Sequence, residues 1–413
     1  MNKRMPKDKL VIGAYFLKPY AQTEEHVRDM AECGVNMIVC FAPKDRAILD
    51  TIHKYGIGCI MSGVMPGWWG GDGSNAGTMG DKYPPRVYHD CADKFEDHPA
   101  IWGLDLCDEP SALDFEHLSR AARLVENIFP NQFAYLNLYP NYAAVAKNNE
   151  SETKCQLGTA TYEEYIARYA ERVDLPYISY DFYLYPQTKN HNVGKMLDNF
   201  RIVSDACRRT GKDFWYIPMV NGRYETDFTS ENMLRYQAYI ALCYGATVIN
   251  WACYTAGWWF NQVLDENGNK TEQYEKLKKI NAELHSIGDE FMKYRSVATH
   301  LVGYGGEEWK ADFPAVVSKD SLDTGFVRGL RADKAKLVVG QMVHKEDSGR
   351  AALFICNASD PFDTDNSVST VRFSSHGRSV TLHSGEGSPI LMRDGDEYRF
   401  ELKSSHGAMV TFE

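Results

Sequence analysis

Short apolar runs alternate with amphipathic stretches over about the first 290 residues of the chain, a length typical of eight strand–helix units. The first apolar run leads into a stretch that opens on Thr23, a residue type that caps helices. Gly34 ends that stretch, as glycine often does after a helix, and a second apolar run follows at once. The repeated pattern predicts strands at Leu10–Tyr20, Val35–Ala42, Ile57–Val64, Ile101–Cys107, Phe133–Leu138, Tyr177–Tyr183, Phe214–Val220 and Val248–Cys253.

Strands that alternate with helices across short turns pair in parallel, and eight such units close into a (β/α)8 TIM barrel. Beyond about Arg295 the pattern changes to short β-like runs separated by Asp, Gly, Ser and Asn, which is typical of antiparallel sheets. We therefore expect a barrel over residues 1–295 that binds or cleaves the substrate. A small antiparallel β-sandwich over residues 296–413 is expected to be its structural companion.

Composition narrows the class of protein. The 413 residues carry a formal net charge of -11 at pH 7, which argues against a nucleic-acid partner because phosphate contacts need a basic surface. The ten cysteines show neither a CxxC pair nor zinc spacing, so we expect free, mostly buried thiols in a reducing compartment. No apolar segment of about 20 residues is present to span a membrane, and Met1–Lys9 leads into no apolar leader. These features predict a soluble, cytoplasmic protein without a membrane partner.

Aromatic, amide and carboxylate side chains gather at the predicted ends of the strands, where barrels carry their functional residues. Aromatic faces stack on sugar rings, while amides and carboxylates bind hydroxyl groups. Each aromatic alone is explained equally well by packing between loops, but their repetition on many strand ends favours a carbohydrate site. No phosphate-binding glycine motif occurs. The candidate substrate-binding residues are Asp108, Trp68, Trp69, Asn137, Tyr139, Tyr183, Asn221, Trp251, Tyr254 and Trp258, of which Trp68, Trp69, Trp251 and Trp258 are candidate sugar platforms.

Glu109 is the main catalytic candidate, because two adjacent carboxylates followed by Pro110 leave the fourth strand. Cleavage of a glycosidic bond needs an acid that protonates the leaving oxygen and a second carboxylate at the anomeric carbon. The alternative is that Asp108 and Glu109 only cap the next helix or pair with a cation. Strict alternation would put Asp105 on the same face as Glu109 and turn Asp108 away. Asp105 would then be a buried hydrogen-bonding residue, with Tyr15 and Lys18 as candidate partners.

The order of the units and the Asp108-Glu109-Pro110 tripeptide resemble clan A glycoside hydrolases. The stretch Leu234–Ala246 is similar to the helix before strand eight in family 42 β-galactosidases and their relatives. The resemblance covers roughly residues 10–290 and implies that Glu109 is the acid/base and that Tyr183 or a neighbour lines the site. Two departures stand out: Asp108 replaces the expected Asn, and strand seven lacks the nucleophilic Glu, the nearest carboxylate being Glu225.

Three alternatives follow from this missing carboxylate. Glu225 could act as nucleophile, Asp181 at the end of strand six could act as base in an inverting reaction, or the barrel could bind sugar without cleaving it. The context of Asp181 resembles the strand-six Tyr-Asp of family 18 chitinases, and Asp105 and Glu109 match part of their strand-four pattern. Cys107, however, stands where that family needs an Asp to orient an acetamido group, which disfavours substrate-assisted cleavage.

The leading hypothesis is an O-glycoside hydrolase acting on an oligosaccharide or glycoside, with Glu109 as acid and Asp181 or Glu225 as the second carboxylate. A degenerate sugar-binding barrel is the main alternative, and a lyase or isomerase is a weaker one. The twelve histidines form no HxH or HExxH pair, so we expect neither a metal nor another cofactor.

Overall fold

Eight parallel strands form the N-terminal sheet of the computed structural model, in the order β5-β4-β3-β2-β1-β8-β7-β6. A parallel bridge between Leu138 and Tyr180 joins the two ends of this order, so the sheet closes on itself. The predicted (β/α)8 barrel is therefore confirmed. Its strands are β1 (Val11–Tyr15), β2 (Met37–Phe41), β3 (Gly58–Met61), β4 (Ile101–Asp108), β5 (Phe133–Asn137), β6 (Tyr177–Asp181), β7 (Asp213–Ile217) and β8 (Ala246–Trp251). The structure describes residues 4–145, 155–185, 192–257, 259–305, 318–362, 367–385 and 389–413.

Polar caps start many of the helices that separate the strands. The side chains of Thr23, Asp45, Thr161 and Ser230 each accept a hydrogen bond from the backbone amide three residues later, which satisfies a donor that the first turn leaves free. The described helices are α1 (Glu24–Glu32), α2 (Arg46–Lys54), α3 (Met79–Lys82), α4 (Pro85–Ala92), α5 (Phe115–Ile128), α6 (Tyr162–Arg172), α7 (Val193–Thr210), α8 (Glu231–Cys243) and α9 (Glu272–Phe291).

Stacked aromatic rings fill part of the barrel interior. The rings of Tyr177 and Trp215 lie parallel at 4.1 Å, and Tyr135 stacks on Trp215 at 6.1 Å. The hydroxyl of Tyr135 also bonds the hydroxyl of Tyr15 at the end of β1. The barrel is thus a packed core below its strand ends, and any opening must lie above this layer.

The C-terminal strands form two sheets that are antiparallel except for the short parallel pair of β9 and β10, which confirms the antiparallel arrangement predicted from the change of pattern. One sheet has the order β10-β9-β12-β13-β18-β15 and the other β11-β14-β17-β16. Buried side chains from both sheets, including Leu353 and Val410 from the first and Val371 and Phe400 from the second, form one apolar core. The strands are β9 (Tyr294–Val302), β10 (Ser318–Lys319), β11 (Val327–Ala332), β12 (Leu337–His344), β13 (Ala351–Asn357), β14 (Val368–Ser375), β15 (Val380–Ser384), β16 (Met392–Asp394), β17 (Glu397–Lys403) and β18 (Gly407–Phe412).

The chain divides into two compact units, and helices α8 and α9 belong to the unit of the C-terminal strands. Helix α8 contacts β12 and β13, where the thiol of Cys243 lies 3.3 Å from the carbonyl oxygen of Val338. A Cβ at Gly340 would lie 2.2 Å from the Cys243 carbonyl oxygen, so this approach requires glycine. The boundary at residue 295 stays a prediction. The units comprise Met1–Lys7, Val11–Asp227 and Val248–Thr271 in one, and Asp8–Leu10, Phe228–Thr247 and Glu272–Glu413 in the other.

All ten cysteines are free, as expected from their spacing. Within the described part of the chain, no helix has the length and apolarity needed to cross a bilayer.

Candidate active site

A register shift in β4 brings two of its carboxylates to the barrel interior. Asp105 pairs with Tyr135 of β5, but the next pair is Cys107 with Leu136, so β4 holds one extra residue at this point. Asp108 consequently pairs with Asn137, on the same face of β5 as Tyr135. The expectation that Asp108 points away from Asp105 is therefore wrong, because the bulge reverses the alternation after Leu106.

Glu109 leaves the strand with a left-handed backbone, at φ 51°, which ends the regular alternation a second time. Its amide donates to the carbonyl of Asn137 at 2.8 Å, and its Oε2 accepts from the indole Nε1 of Trp69 at 2.9 Å. The Trp69 loop is bound to the same strand end, since the amide of Gly70 donates to the Asp108 carbonyl at 3.0 Å. A Cβ at Gly70 would lie 1.7 Å from the Glu109 carbonyl oxygen, so only glycine allows this approach.

Asn137 joins Asp108 to Asp181, which ends β6. Its Nδ2 donates to Asp181 Oδ1 at 2.8 Å and to Asp108 Oδ1 at 3.3 Å, while its Oδ1 accepts from Ser179 Oγ at 3.0 Å. One amide nitrogen therefore bonds both carboxyl groups. The two bonded oxygens must lie within about 6 Å of each other, because each is within hydrogen-bond distance of that nitrogen. The side-chain amide of Asn137, predicted to bind substrate, already has partners for both of its polar atoms.

Burial raises the pKa of all three carboxyl groups, and repulsion by neighbouring carboxylates adds to it for Asp108 and Glu109. Burial, then the charge of Asp181, then that of Asp105 raises the pKa of Asp108 to about 8. Burial raises the pKa of Asp181 to about 6, against the hydrogen bond from Asn137. The pKa of Glu109 is raised well above its usual range, first by burial and then by the charges of Asp181 and Asp108. Because the charges of Asp181 and Asp108 act on Glu109, the three carboxyl groups are coupled and ionise as a set rather than independently.

Asp108 as a residue is exposed to solvent, although protein surrounds its carboxyl group. Below it, Asp105 is partly exposed and accepts from Ser62 Oγ at 3.1 Å and from Cys40 Sγ at 3.6 Å. These partners replace the predicted Tyr15 and Lys18. Tyr15 bonds Tyr135 instead. Ser62 and Cys40 could not be identified from the sequence, because they lie at the ends of other strands, far from Asp105 along the chain.

Aromatic rings stand beside Asp181. Tyr183 is partly exposed, and its ring contacts that of Trp259 at 5.9 Å, while Tyr185 contacts Trp259 at 6.2 Å. Tyr142 is also partly exposed, and the charges of Asp181 and Glu109 add to burial in raising its pKa. Tyr142 escaped sequence reasoning because it lies on a loop beyond the strand ends, where only its aromatic character signals a role.

The remaining candidates lie in different surroundings. Trp69 is 64% exposed and offers a face for stacking, whereas Trp251 is 0% exposed and Trp68 only 7%. Rings that are covered cannot stack on a sugar, so the platform role does not fit Trp251 or Trp68. Trp258 lies outside the described residues. Tyr139, Asn221 and Tyr254 are buried, and Glu225 is exposed on the loop after β7, where its carbonyl accepts from Asn261.

Within the described residues, no group of three or more His, Cys, Asp or Glu side chains is placed to hold a metal ion.

No protein-family model and no curated protein matches the chain. Similar solved structures include a family 51 α-L-arabinofuranosidase from Bifidobacterium longum, with 11% identity, a TM-score of 0.49 and coverage of 100% of this chain and 98% of that one. A glucosidase from Croceicoccus marinus has 11% identity and a TM-score of 0.46, covering 100% and 97%. A family 5 mannosidase from Rhizomucor miehei has 13% identity and a TM-score of 0.46, covering 69% and 95%. Likenesses this distant say nothing about substrate or catalytic residues, and the barrel is established by its own strand pairing.

Proposed function

We propose that this protein is a glycoside hydrolase in which Glu109 is the general acid and Asp181 is the second carboxylate. The observation that carries the proposal is the meeting of the Glu109 and Asp181 carboxyl groups at the ends of β4 and β6, where the charge of Asp181 acts on Glu109. Glycosidic cleavage needs one protonated and one ionised carboxyl group at the same pH. Here burial and the charge of Asp181 both raise the pKa of Glu109 and so favour its protonated form, as a general acid requires.

The chemistry follows from these states. Glu109 gives its proton to the leaving glycosidic oxygen, while the ionised Asp181 stabilises the positive charge that develops at the anomeric carbon. Asp181 then either attacks that carbon or removes a proton from the attacking water. The anomeric configuration of the first product, followed by proton NMR, distinguishes retention from inversion.

Other residues of the cluster assist. Trp69 fixes one oxygen of Glu109, which leaves the other oxygen to carry the proton toward the substrate. Asp108 is an exposed residue and has a pKa of about 8, so near neutral pH it can donate a hydrogen bond to a sugar oxygen. We assign the second carboxylate to Asp181 rather than to Glu225, because Asp181 acts directly on the pKa of Glu109 and Glu225 is exposed on a loop.

The alternative function is a barrel that binds sugar without cleaving it. One observation favours it: the segment after β7 reads Pro218-Met219-Val220-Asn221 and brings no carboxylate to the site.

The test is turnover of a panel of para-nitrophenyl glycosides and labelled oligosaccharides by the wild type and by Glu109→Gln. Removal of a general acid costs about 10²- to 10⁴-fold in rate, and glutamine still accepts the hydrogen bond from Trp69, so the melting temperature should not change. The matched control is Glu225→Gln, which should keep wild-type activity. Wild-type rates in Glu109→Gln would refute the assignment. Calorimetric binding of a sugar without any product would support the binding function instead.

A further inference from the structure

We propose that Arg223 binds an anionic substituent, a carboxylate or a sulfate, on a sugar that stacks on Trp259, so that the enzyme prefers acidic glycosides to neutral ones. The proposal rests on the glycosidase function and adds to it the chemical class of the substrate. Arg223 lies on the loop after β7 and takes no part in the bond-breaking chemistry described above.

Backbone pairing holds Arg223 beside Trp259. The loops after β7 and β8 form an antiparallel bridge, in which Gly222 and Phe260 exchange hydrogen bonds of 2.8 and 3.2 Å. The residue after Gly222 and the residue before Phe260 are then opposite each other, and opposite residues project from the same face. These residues are Arg223 and Trp259, and both contact Tyr185. The Tyr185 ring centre lies 5.7 Å from the guanidinium carbon and 6.2 Å from the Trp259 ring centre.

The loop that carries Arg223 is fixed by further bonds. The Nδ2 of Asn261 donates to the carbonyls of Glu225 at 2.9 Å and Asp227 at 2.6 Å, which joins the two loops a second time. A Cβ at Gly222 would lie 2.1 Å from the Asp227 carbonyl oxygen, so this approach requires glycine. A cation on a loop that is already ordered costs less to engage, because binding need not order the backbone.

The pair of Arg223 and Trp259 lies next to the proposed second carboxylate. The Trp259 ring contacts the ring of Tyr183 at 5.9 Å, both rings are partly exposed, and Tyr183 is two residues beyond Asp181. Burial raises the pKa of Tyr185, while the charge of Arg223 opposes that rise and the charge of Asp181 adds to it. The Tyr185 hydroxyl is therefore within electrostatic reach of both charges. A sugar bound at Asp181 can stack on Trp259 with Arg223 at its edge.

Arg223 has hydrogen-bond donors to offer a ligand. It is partly exposed, and its contact with the Tyr185 ring occupies none of its N–H donors with an acceptor. Within the described part of the chain, no acceptor takes a hydrogen bond from Arg223 and no carboxylate pairs with it. Asp227, on the same loop, instead accepts from the backbone amide of Tyr224 at 3.1 Å. Such an arginine fits a ligand that brings its own carboxylate or sulfate, which a guanidinium binds through two parallel hydrogen bonds.

A second cation borders the loop of Trp259. Lys18, just after β1, approaches Gly257 so closely that a Cβ there would lie 3.2 Å from Lys18 Cε and 3.7 Å from its Nζ. Cations thus follow β1 and β7, whereas the coupled carboxyl groups end β4 and β6. This polarity orients an acidic sugar with its charged substituent toward Arg223 and away from Glu109.

The first experiment compares para-nitrophenyl glycosides in pairs that differ only at carbon 6: glucuronide with glucoside, galacturonide with galactoside, and each neutral sugar with its 6-sulfate. We expect kcat/KM to be about tenfold or more higher for the acidic member of at least one pair, and this advantage to shrink at high salt. The favoured pair shows whether the substituent is a carboxylate or a sulfate. Neutral members that react as fast as their acidic counterparts, or faster, in every pair would overturn the proposal.

The second experiment compares Arg223→Gln with Arg209→Gln, a matched change on the exposed surface of α7. Loss of a charge-assisted hydrogen bond should raise KM for the favoured acidic glycoside about tenfold or more, with kcat changed far less and the neutral glycoside unaffected. Arg223→Lys, which keeps the charge, should recover part of the loss, and Arg209→Gln should match the wild type. Equal losses on acidic and neutral glycosides, or an unchanged KM in a folded Arg223→Gln protein, would refute the role of Arg223.

A third measurement separates this proposal from the glycosidase function. If the wild type cleaves neutral glycosides only, the glycosidase function stands and the preference for acidic sugars fails. If it cleaves no glycoside, the proposed function fails, and calorimetry with glucuronate, galacturonate and glucose 6-sulfate, against glucose, then tests Arg223 alone. Binding of an acidic sugar that weakens about tenfold in Arg223→Gln supports the role of Arg223. Equal binding by both proteins, or no binding to either, overturns it.

Discussion

Trp69→Phe removes one hydrogen bond from the proposed acid and keeps an aromatic face for stacking. In the wild type, the indole Nε1 donates to Glu109 Oε2 at 2.9 Å and so favours the ionised form, which lowers the pKa of Glu109 against burial. Without that donor the pKa of Glu109 rises, and the acid keeps its proton to higher pH. The bond is charge-assisted, but Trp69 is 64% exposed, so we discount its contribution to about 1 kcal/mol. That energy moves a titration by about 0.7 pH unit.

The assay is the pH dependence of kcat/KM, which reports the ionisations of the free enzyme. The acidic limb of the wild-type profile should lie near the Asp181 pKa of about 6, since activity needs that carboxylate ionised. The alkaline limb belongs to Glu109. In Trp69→Phe the alkaline limb should move to higher pH, the acidic limb should stay, and kcat should fall because one oxygen of Glu109 is no longer fixed.

The control is Tyr224→Phe, which changes another exposed aromatic residue that does not bond Glu109. Its profile should match that of the wild type. An alkaline limb of Trp69→Phe that moves to lower pH, or stays in place with kcat unchanged, would show that Trp69 does not act on the ionised form of Glu109.

Two further predictions concern the fold that supports the site. Gly70→Ala should destabilise the protein by about 3 kcal/mol and reduce activity, because its Cβ would overlap the Glu109 carbonyl. Gly67→Ala, whose Cβ would meet open space, should behave as the wild type. Melting temperatures and kcat check both variants, and equal stability of the two would contradict the argument. In the C-terminal unit, Glu283 accepts from Arg235 at 2.7 and 2.8 Å with both side chains buried, so Glu283→Gln should cost about 3 kcal/mol in urea unfolding. A loss below about 1 kcal/mol, the range of surface pairs, would show that solvent reaches the pair.

The alternation of strands and helices in the barrel was predictable, because each strand and helix carries its own local signals. Apolar runs, the caps Thr23 and Asp45, and the glycine that ends α1 appear in the sequence next to the elements they define. The change to antiparallel strands near Arg295 was predictable for the same reason. Contacts between elements that are distant in the sequence were not predictable. Helix α8 has the pattern of a barrel helix, yet it contacts β12 and β13.

The site was predictable in part. Its strand ends pointed to Glu109, Asp108 and Asp181. Asn137 bonds the carboxyl groups of Asp108 and Asp181, and its carbonyl accepts from the Glu109 amide. The orientation of the site was not predictable, because one extra residue in β4 reverses which side chains face inward. The exposure of Trp69 and the burial of Trp251 depend on loop paths that residue type does not record.

Helix α8 also bears on how the molecule is made. It leaves the ribosome before β12 and β13, the strands that it contacts, have been translated. Until those strands arrive, a helix in which every residue from Asn232 to Cys243 is buried in the finished protein has no permanent cover. The nascent chain must therefore pass through a stage in which chaperones and proteases can reach this apolar surface. In a chain truncated at the apparent end of the barrel, the surface would stay uncovered.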